Sequence, residues 1–181
     1  MGDPRRLKKK FKKPNRPWES ARLEEELVYV GRYGLRNKRE FWKAKYILSR
    51  FRTNARDLRT VEGPLREKGE TELFGHLFRL GMTERDIQLE NVLELTIEDV
   101  LNRRLQSIVF KKGLARTIHH ARQLITHGHI AINGKKLNAP AHLVKRSEEE
   151  HIDFFPTSPY ANPDHKMRAE PVVKETEETE S

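Results

Sequence analysis

Basic side chains, imidazoles and amides are concentrated between Arg103 and Asn133, a stretch that contains no acidic residue. Such groups donate hydrogen bonds to phosphate oxygens and 2′-hydroxyls when they follow one ridge of the surface. The candidates for these contacts are Arg103, Lys111, Lys112, Arg116, His119, Arg122, Gln123, His127, His129 and Asn133. Each residue alone also fits a solvated polar position, and His127 fits a cation at a helix C-terminus. As a set, they favour a nucleic-acid partner.

The eight histidines raise the question of a metal site. Structural zinc requires four converging ligands, whereas His119 and His120 point in different directions on a helix. The chain has no cysteine, which excludes disulfides, Cys-ligated zinc, iron–sulfur clusters and thiol catalysis. The sequence also has none of the patterns of phosphate loops, nucleophile elbows or zinc-protease helices. We therefore predict no metal, no cofactor and no enzymatic activity.

Positive charge is concentrated in separate blocks of the 181-residue chain, which carries a formal net charge of +9. Residues 1–18 hold eight basic side chains and one acid, residues 101–169 hold 12 and 5, and residues 32–59 hold ten and two. The run over 32–59 is also compatible with a solvated helix face, but such faces usually mix both signs. We expect a polyanionic partner. The candidates outside the 103–133 stretch are Arg5, Arg6, Lys8, Lys9, Lys10, Arg32, Arg36, Lys38, Arg39, Lys43, Arg50 and Arg56.

The composition limits the size of the hydrophobic core, and the sequence contains no candidate membrane-spanning segment. Hydrophobic residues make up 35% of the chain and the mean hydropathy is −0.84, which suits one ordinary domain or two small ones. No run approaches the roughly 18 apolar residues of a membrane span, and no apolar stretch follows the basic start. The sequence therefore predicts a soluble, unexported protein without a membrane partner.

The N-terminal half predicts a basic extension followed by helices. Residues 1–17 contain three prolines and are expected to be extended, and disordered in isolation. Apolar periodicity predicts helices over 18–30, 41–58 and 71–80, with a less regular connection over 83–95. We therefore predict a helical domain over 18–95, without strands.

The following stretch predicts two helices and a small sheet. Thr96 is a candidate N-cap of one helix ending at Gly113, and Thr117 is a candidate N-cap of a second helix ending at Gly128. In the second helix Ile118, Ala121, Leu124 and Ile125 form the apolar face, opposite His119, Gln123 and His127. Asn133-Gly134 predicts a hairpin turn, with further strands at Val144 and 152–155 around an acidic turn at 148–150. The predicted fold class is α+β, with this module over 96–165 and an acidic flexible tail over 166–181.

The motifs of the second half resemble a known RNA-binding module. Arg103, Gly113-Leu-Ala-Arg116, Ala121-Arg-Gln-Leu-Ile125, His127-Gly-His129 and Asn133-Gly134 are together similar to the S4 module, which is named after the fourth small-subunit ribosomal protein. Three segments of the N-terminal half resemble the archaeal and eukaryotic branch of that ribosomal protein family. They are Met1-Gly-Asp-Pro-Arg-Arg6, Pro17-Trp-Glu19 and Tyr33-Gly-Leu-Arg-Asn-Lys38. The resemblance covers about residues 2–165.

The resemblance implies a function and a binding set. Family members bind the 5′ domain of small-subunit ribosomal RNA, nucleate assembly of the subunit body, and lie where messenger RNA enters. The implied binding residues are Arg103, Arg104, Arg116, Arg122, His127, His129, Asn133 and Lys135, with the basic N-terminal half. The implied partners are neighbouring small-subunit proteins such as ribosomal protein S5, and messenger RNA, in the cytoplasm. Two alternatives stay open, a component of a pre-ribosomal particle and an RNA-modifying enzyme anchored by the same module.

Overall fold

A computed structural model describes residues 9–85, 87–162 and 165, and the chain divides into two compact units. The first unit comprises the residues up to Arg104 together with Leu143–Arg146. The second comprises Leu105–His142 and the residues from Ser147 onward. Helices fill the first unit and a small antiparallel sheet accompanies the helices of the second, so the predicted α+β class is confirmed. The predicted domain bounds themselves stay predictions.

From residue 20 to residue 102, the described part of the first unit forms helices and their connections without a strand, as the sequence predicts. Its helices are α1 (Ser20–Arg32), α2 (Lys38–Thr60), α3 (Pro64–Leu80), α4 (Leu89–Glu94) and α5 (Ile97–Asn102). Residues 9–17 form turns and bends without a helix or strand. The prediction that residues 1–17 are disordered in isolation is not tested, and residues 1–8 and 166–181 lie outside the described residues.

Helix α2 organises the core of this unit. The side chain of Asn37 accepts a hydrogen bond from the Glu40 amide and so caps the helix. Phe41, Leu48 and Phe51 are buried on one face. This is the apolar stripe that the three- and four-residue spacing predicts. The stripe packs in a core with residues of the other helices of the unit.

Helix α3 begins seven residues earlier than predicted, at Pro64 rather than at residue 71. Its first two turns carry charged residues and so lack the apolar periodicity on which the prediction relied. Proline at the first position of a helix is itself a start signal. A Cβ at Gly69 would lie 2.3 Å from Cδ2 of Leu58, so this glycine lets α3 approach α2 closely.

The single helix predicted from Thr96 to Gly113 is wrong, because the chain forms two helices, α5 and α6 (Leu105–Lys111). The Thr96 cap is confirmed by a capping box with Asp99. The helix breaks at Arg103, whose carbonyl accepts from the Val144 amide at 2.9 Å. The sequence does not reveal this break, because it depends on a segment about 40 residues further along the chain.

The second unit combines helices with a three-stranded antiparallel sheet. Besides α6 it contains α7 (Ile118–Thr126), β1 (Ile130–Ile132), β2 (Lys135–Lys136), α8 (Arg146–Glu149, whose first residue belongs to the first unit), β3 (Ile152–Phe154) and a 3₁₀ turn at Pro159–Ala161. The strand order is β2-β1-β3, with Ile132 opposite both Lys135 and Ile152. Asn133 and Gly134 both have positive φ, at 50° and 74°, which confirms the predicted hairpin turn.

Two details of the predicted sheet are wrong. Val144 is buried but lies in no strand, and its neighbour Leu143 forms only an isolated bridge with Arg104. The predicted acidic turn is largely helical, because residues 146–149 form the one-turn helix α8.

Within the described residues, no helix is long and apolar enough to cross a membrane.

Candidate nucleic-acid interface

Helix α7 presents a polar face built by an amphipathic sequence. Ala121, Leu124 and Ile125 are buried, while His119 and Gln123 are exposed on the opposite side. This burial confirms the predicted assignment of the helix faces. His127 is exposed at the C-cap and Arg122 is half-buried at the margin of the polar face. The polar side chains of the helix therefore point outward at fixed positions, because its apolar side is buried in the core.

The start of α7 adds donors to the same face. The Thr117 hydroxyl accepts from the His120 amide at 3.1 Å and caps the helix, as predicted. The Arg116 amide donates to Nδ1 of His120 at 3.4 Å, which holds the residue before the cap against the first turn. The side chain of Arg116 is exposed, as is that of Lys111 in α6. The helix N-terminus carries partial positive charge, so it reinforces the cation beside it.

A buried amide positions the arginine on α7. Gln106 of α6 is fully buried, its amide nitrogen donates to the Ile118 carbonyl at 3.0 Å, and its oxygen accepts from Arg122 at 3.2 Å. The sequence analysis missed Gln106. A polar residue on an otherwise apolar helix face is the signal that identifies it, because buried amides require partners.

Imidazoles and a tyrosine form an aromatic group beside the polar face of α7. The hydroxyl of the buried Ser158 lies 2.9 Å from Nδ1 of His129. The Tyr160 ring meets His129 edge-on with centroids 4.9 Å apart, and lies 4.8 Å from His165 and 6.2 Å from His120. Sequence reasoning missed Ser158 and Tyr160, which lie in a proline-rich stretch without periodicity.

Two of these imidazoles are tuned toward the neutral form. Burial, followed by the charges of His127 and Lys136, lowers the pKa of His129 below its ordinary value. Burial and the charge of Arg116 lower the pKa of His120 in the same way. A neutral imidazole offers one hydrogen-bond donor, one acceptor and a stacking face rather than a cation. These two rings are therefore suited to bases and sugar hydroxyls more than to phosphates.

The hairpin presents the remaining candidates of the module. Asn133 and Lys135 are exposed at and beside the turn. The Asn133 amide donates to the His151 carbonyl at 3.2 Å, which fixes the turn against the segment before β3. Gly128, in the left-handed conformation at φ 73°, ends α7 and leads into β1. The chain therefore passes from the polar face of the helix to the hairpin turn within a few residues.

Several predicted site residues are bonded within the fold. The buried Arg104 donates to Glu40 at 2.7 Å. A guanidinium nitrogen of Arg103 donates to the Val144 carbonyl at 3.1 Å. Lys112 approaches the carbonyls of residues 150 and 152 at 3.3 and 3.4 Å. The structure commits Arg104 to the core of the first unit, and we leave it out of the proposed binding surface.

In the first unit the predicted cations fall into two groups. Lys38 and Arg32 are paired with acids, at 3.4 Å from Glu26 and 3.0 Å from Glu98. The other members are exposed, as is the paired Arg32: they are Lys9, Lys10, Arg36, Arg39, Lys43, Arg50 and Arg56. Arg5, Arg6 and Lys8 lie outside the described residues. In the ranges that the structure describes, no three His, Asp or Glu side chains lie close enough together to hold a metal ion.

Comparisons with known proteins agree with this architecture. A family model described as the S4 domain matches residues 103–150, and one described as the ribosomal protein S4/S9 N-terminal domain matches residues 5–97. The chain is 52% identical over 160 residues to small ribosomal subunit protein uS4 of Ignicoccus hospitalis, covering 88% of this chain and 96% of that relative. It is 51% identical over 177 residues to uS4 of Hyperthermus butylicus, covering 98% of each. It is 48% identical over 159 residues to uS4 of Methanothermobacter thermautotrophicus, covering 88% and 93%.

The two-helix and hairpin unit with its S4 match defines an RNA-binding protein of the S4 class. The N-terminal half also matches a ribosomal protein S4 family model, and uS4 relatives align along most of the chain. The chain therefore belongs to the family of small ribosomal subunit protein uS4. Members of this family are structural, non-enzymatic constituents of the small ribosomal subunit, where they bind ribosomal RNA among other ribosomal proteins. The prediction that the chain is not an enzyme is thereby confirmed, and the modifying-enzyme alternative is removed.

Proposed function

We propose that this protein binds the 5′ domain of small-subunit ribosomal RNA early in assembly and nucleates the body of the subunit, in the cytoplasm. The observation that supports this most directly is the outward polar face of α7 and the adjoining hairpin. Arg116, His119, Gln123, His127 and Lys135 are all exposed there, and no acidic residue interrupts the stretch from 103 to 133. Phosphate contacts from such a face give affinity and register on folded RNA.

The exposed cations of the first unit extend the proposed contact area. Arg36, Arg39, Lys43, Arg50 and Arg56 are exposed on and just before α2. A surface with this much unbalanced positive charge favours a polyanion over a neutral protein partner. We propose that these residues bind further segments of the same RNA. On the family resemblance we also propose that ribosomal protein S5 is a neighbour, and that the protein lies where messenger RNA enters the subunit.

Reconstitution with RNA tests this proposal. The protein is titrated onto the isolated 5′-domain RNA without other proteins, and the bound RNA is probed by hydroxyl-radical footprinting. Binding of this protein without any other ribosomal protein, with protection of RNA nucleotides at one compact junction, supports the proposal. Binding that requires other ribosomal proteins contradicts the early role.

Cellular fractionation separates the mature-subunit role from the pre-ribosomal alternative. Mass spectrometry of sucrose-gradient fractions is expected to find the protein in mature small subunits at the level of other structural proteins. Enrichment in precursor particles with loss from mature subunits contradicts the proposed role. Crosslinking of the same mature subunits is expected to join this protein to ribosomal protein S5 and to messenger RNA.

A further inference from the structure

A pocket lies between the basic extension and the α1–α2 pair of the first unit. It has a volume of about 200 Å³, which is smaller than the roughly 300–1,000 Å³ of sites for drug-sized ligands. Its lining includes the planar side chains of Trp42 and Tyr46 and the cations of Lys12, Lys13 and Lys45, together with Pro14, Ser49 and the paired Arg22 and Glu26. A site of this size with planar walls suits one ring system rather than a peptide.

The fold itself holds the extension against the pocket. The guanidinium of Arg22 donates to the Arg16 and Pro17 carbonyls at 2.8 and 2.9 Å. The Phe11 ring stacks on Trp42 with centroids 6.3 Å apart, and the Arg39 guanidinium lies 5.8 Å from the Phe11 ring centroid. The extension is therefore fastened on both sides of residues 12–14, which line the pocket.

The buried carboxylate of Glu26 fixes the aromatic wall. It accepts hydrogen bonds from Trp42 at 3.1 Å and from Arg22 at 2.5 Å, and faces the Lys38 ammonium at 3.4 Å. Burial alone raises the pKa of Glu26, but the hydrogen bonds from Trp42 and Arg22 outweigh it and hold the pKa below its ordinary value. The Trp42 ring is thus anchored through its indole nitrogen, and its orientation is set before any ligand arrives.

A groove continues from the pocket along α2. Lys45 and Ser49 line both the pocket and the groove, and Arg52 and Arg56 line the groove further along. These residues recur on one side of the helix and include three cations, Lys45, Arg52 and Arg56, which lead away from the aromatic walls. Arg52 also donates to the Leu95 carbonyl at 2.7 Å, and among the described residues Glu25 is the one acid that lines the groove. Aromatic walls beside a cationic path are the combination that binds single-stranded nucleic acid, because bases stack while phosphates are neutralised.

We propose that this pocket binds one unpaired nucleobase of RNA, stacked at Trp42 and Tyr46, while Lys45 and the cations of the extension hold its flanking phosphates. The proposal rests on the proposed ribosomal RNA-binding function and assigns the first unit its own contact with an extruded base. A free anion would use only the lysines, so the aromatic walls distinguish the two ligands. Tyr46 and Lys45 were not among the predicted site residues.

The two tryptophans of the chain allow a direct test. Trp18 is 90% exposed, so Trp18→Phe leaves Trp42 as the sole indole emitter without disturbing the core. Hexa-adenylate RNA is expected to quench Trp42 fluorescence saturably in this full-length variant. Heparin, a polyanion without bases, and inorganic phosphate are expected to leave the emission unchanged. Equal quenching by heparin, or no saturable quenching by the RNA, overturns the proposal.

Matched variants locate the effect in the pocket. In the Trp18→Phe background, Tyr46→Leu is expected to weaken hexa-adenylate binding about fivefold or more, as for the loss of one stacking partner. Lys45→Gln is expected to weaken it as well, whereas Lys68→Gln, the same charge change on an exposed part of α3, leaves it unchanged. Equal affinities for the variants at positions 45 and 68 contradict the pocket.

A parallel measurement separates this proposal from the proposed function. Each variant is also bound to the 5′-domain RNA by filter binding. Absence of a saturable fluorescence response in the Trp18→Phe parent, when that parent still binds the 5′-domain RNA tightly, overturns the nucleobase pocket and leaves the ribosomal RNA-binding function standing. Failure of the parent chain to bind the 5′-domain RNA contradicts the proposed function, whatever the fluorescence shows.

Discussion

The guanidinium of Arg122 donates a hydrogen bond to the side-chain oxygen of Gln106 at 3.2 Å, so a buried amide of α6 holds a half-buried arginine of α7. The same amide donates to the Ile118 carbonyl at 3.0 Å. One glutamine thus connects the packing of the two helices to the direction of a candidate RNA contact. Without it, Arg122 would sample more rotamers before binding.

The first prediction concerns this glutamine. Gln106→Leu keeps a similar volume but removes both hydrogen bonds, and it is expected to lower the free energy of unfolding by about 1–3 kcal/mol. Gln123→Leu, on the exposed face of α7, is the matched control and is expected to change stability by less than about 0.5 kcal/mol. Urea denaturation followed by circular dichroism measures both. Equal stability of the two variants would show that the Gln106 bonds contribute nothing.

The second prediction separates the two faces of α7. Leu124 is 1% exposed, so Leu124→Asp places a charge in the core and is expected to unfold the module and abolish RNA binding. Arg122→Ala is expected to keep the helical circular dichroism spectrum, lose about 1 kcal/mol of stability, and weaken RNA binding. If both variants are equally folded, or if Arg122→Ala melts the unit, the face assignment fails.

The predicted features that the structure confirms are local ones. The α7 faces, the Thr117 cap and the Asn133-Gly134 turn follow from residue spacing and turn chemistry within about ten residues. The break at Arg103 depends on pairing with Val144, far along the chain, and no local signal precedes it. The continuous apolar spacing therefore favoured a single helix there.

The candidate site divides in the same way. Exposed cations such as Arg116 could be selected from composition and periodicity alone. The tertiary fold decides which side chains are withdrawn from solvent and which rings meet. For this reason Arg104 was selected although it is bonded to Glu40, and Tyr160 was missed although it contacts His129.

The third prediction follows from the neutral imidazoles. The pKa values of His120 and His129 lie below their ordinary value of 6.5, so the folded state resists a proton that the unfolded chain accepts. Their contribution to stability is complete above pH 6.5 and is lost as the pH falls below that value, because the unfolded state then binds more protons. The melting temperature is therefore expected to fall between pH 7 and about pH 5.5.

Substitution of both histidines tests whether they cause the fall in melting temperature. The double variant His120→Gln and His129→Gln is expected to show a smaller fall in melting temperature over the same pH range. Some dependence is expected to remain, because burial and the charge of Arg79 also lower the pKa of His76. An unchanged pH profile in the double variant would assign the effect to other groups.

The last prediction uses salt to count the phosphates that the protein contacts. The logarithm of RNA affinity is expected to fall with the logarithm of salt concentration by about 0.7–0.9 for each phosphate neutralised. Deleting residues 1–17 removes eight cations and one acid, so the slope is expected to flatten markedly. Deleting residues 170–181 removes five acids and only one cation, so the slope is expected to change little.

A point-substituted chain separates charge from anchoring in this experiment. Replacing Lys9, Lys10, Lys12 and Lys13 with glutamine keeps Phe11 against Trp42 and the Arg22 bonds to the extension, so only the charge is lost. If these four cations contact phosphate, this chain loses about three units of slope in total, at about 0.7–0.9 for each cation. The full deletion flattens the slope further because it removes four more cations. Filter binding to the 5′-domain RNA at several salt concentrations measures all four chains. Equal slopes for the parent and the substituted chain would remove these lysines from the phosphate contacts, and would leave the S4-type module and α2 as the source of the salt dependence.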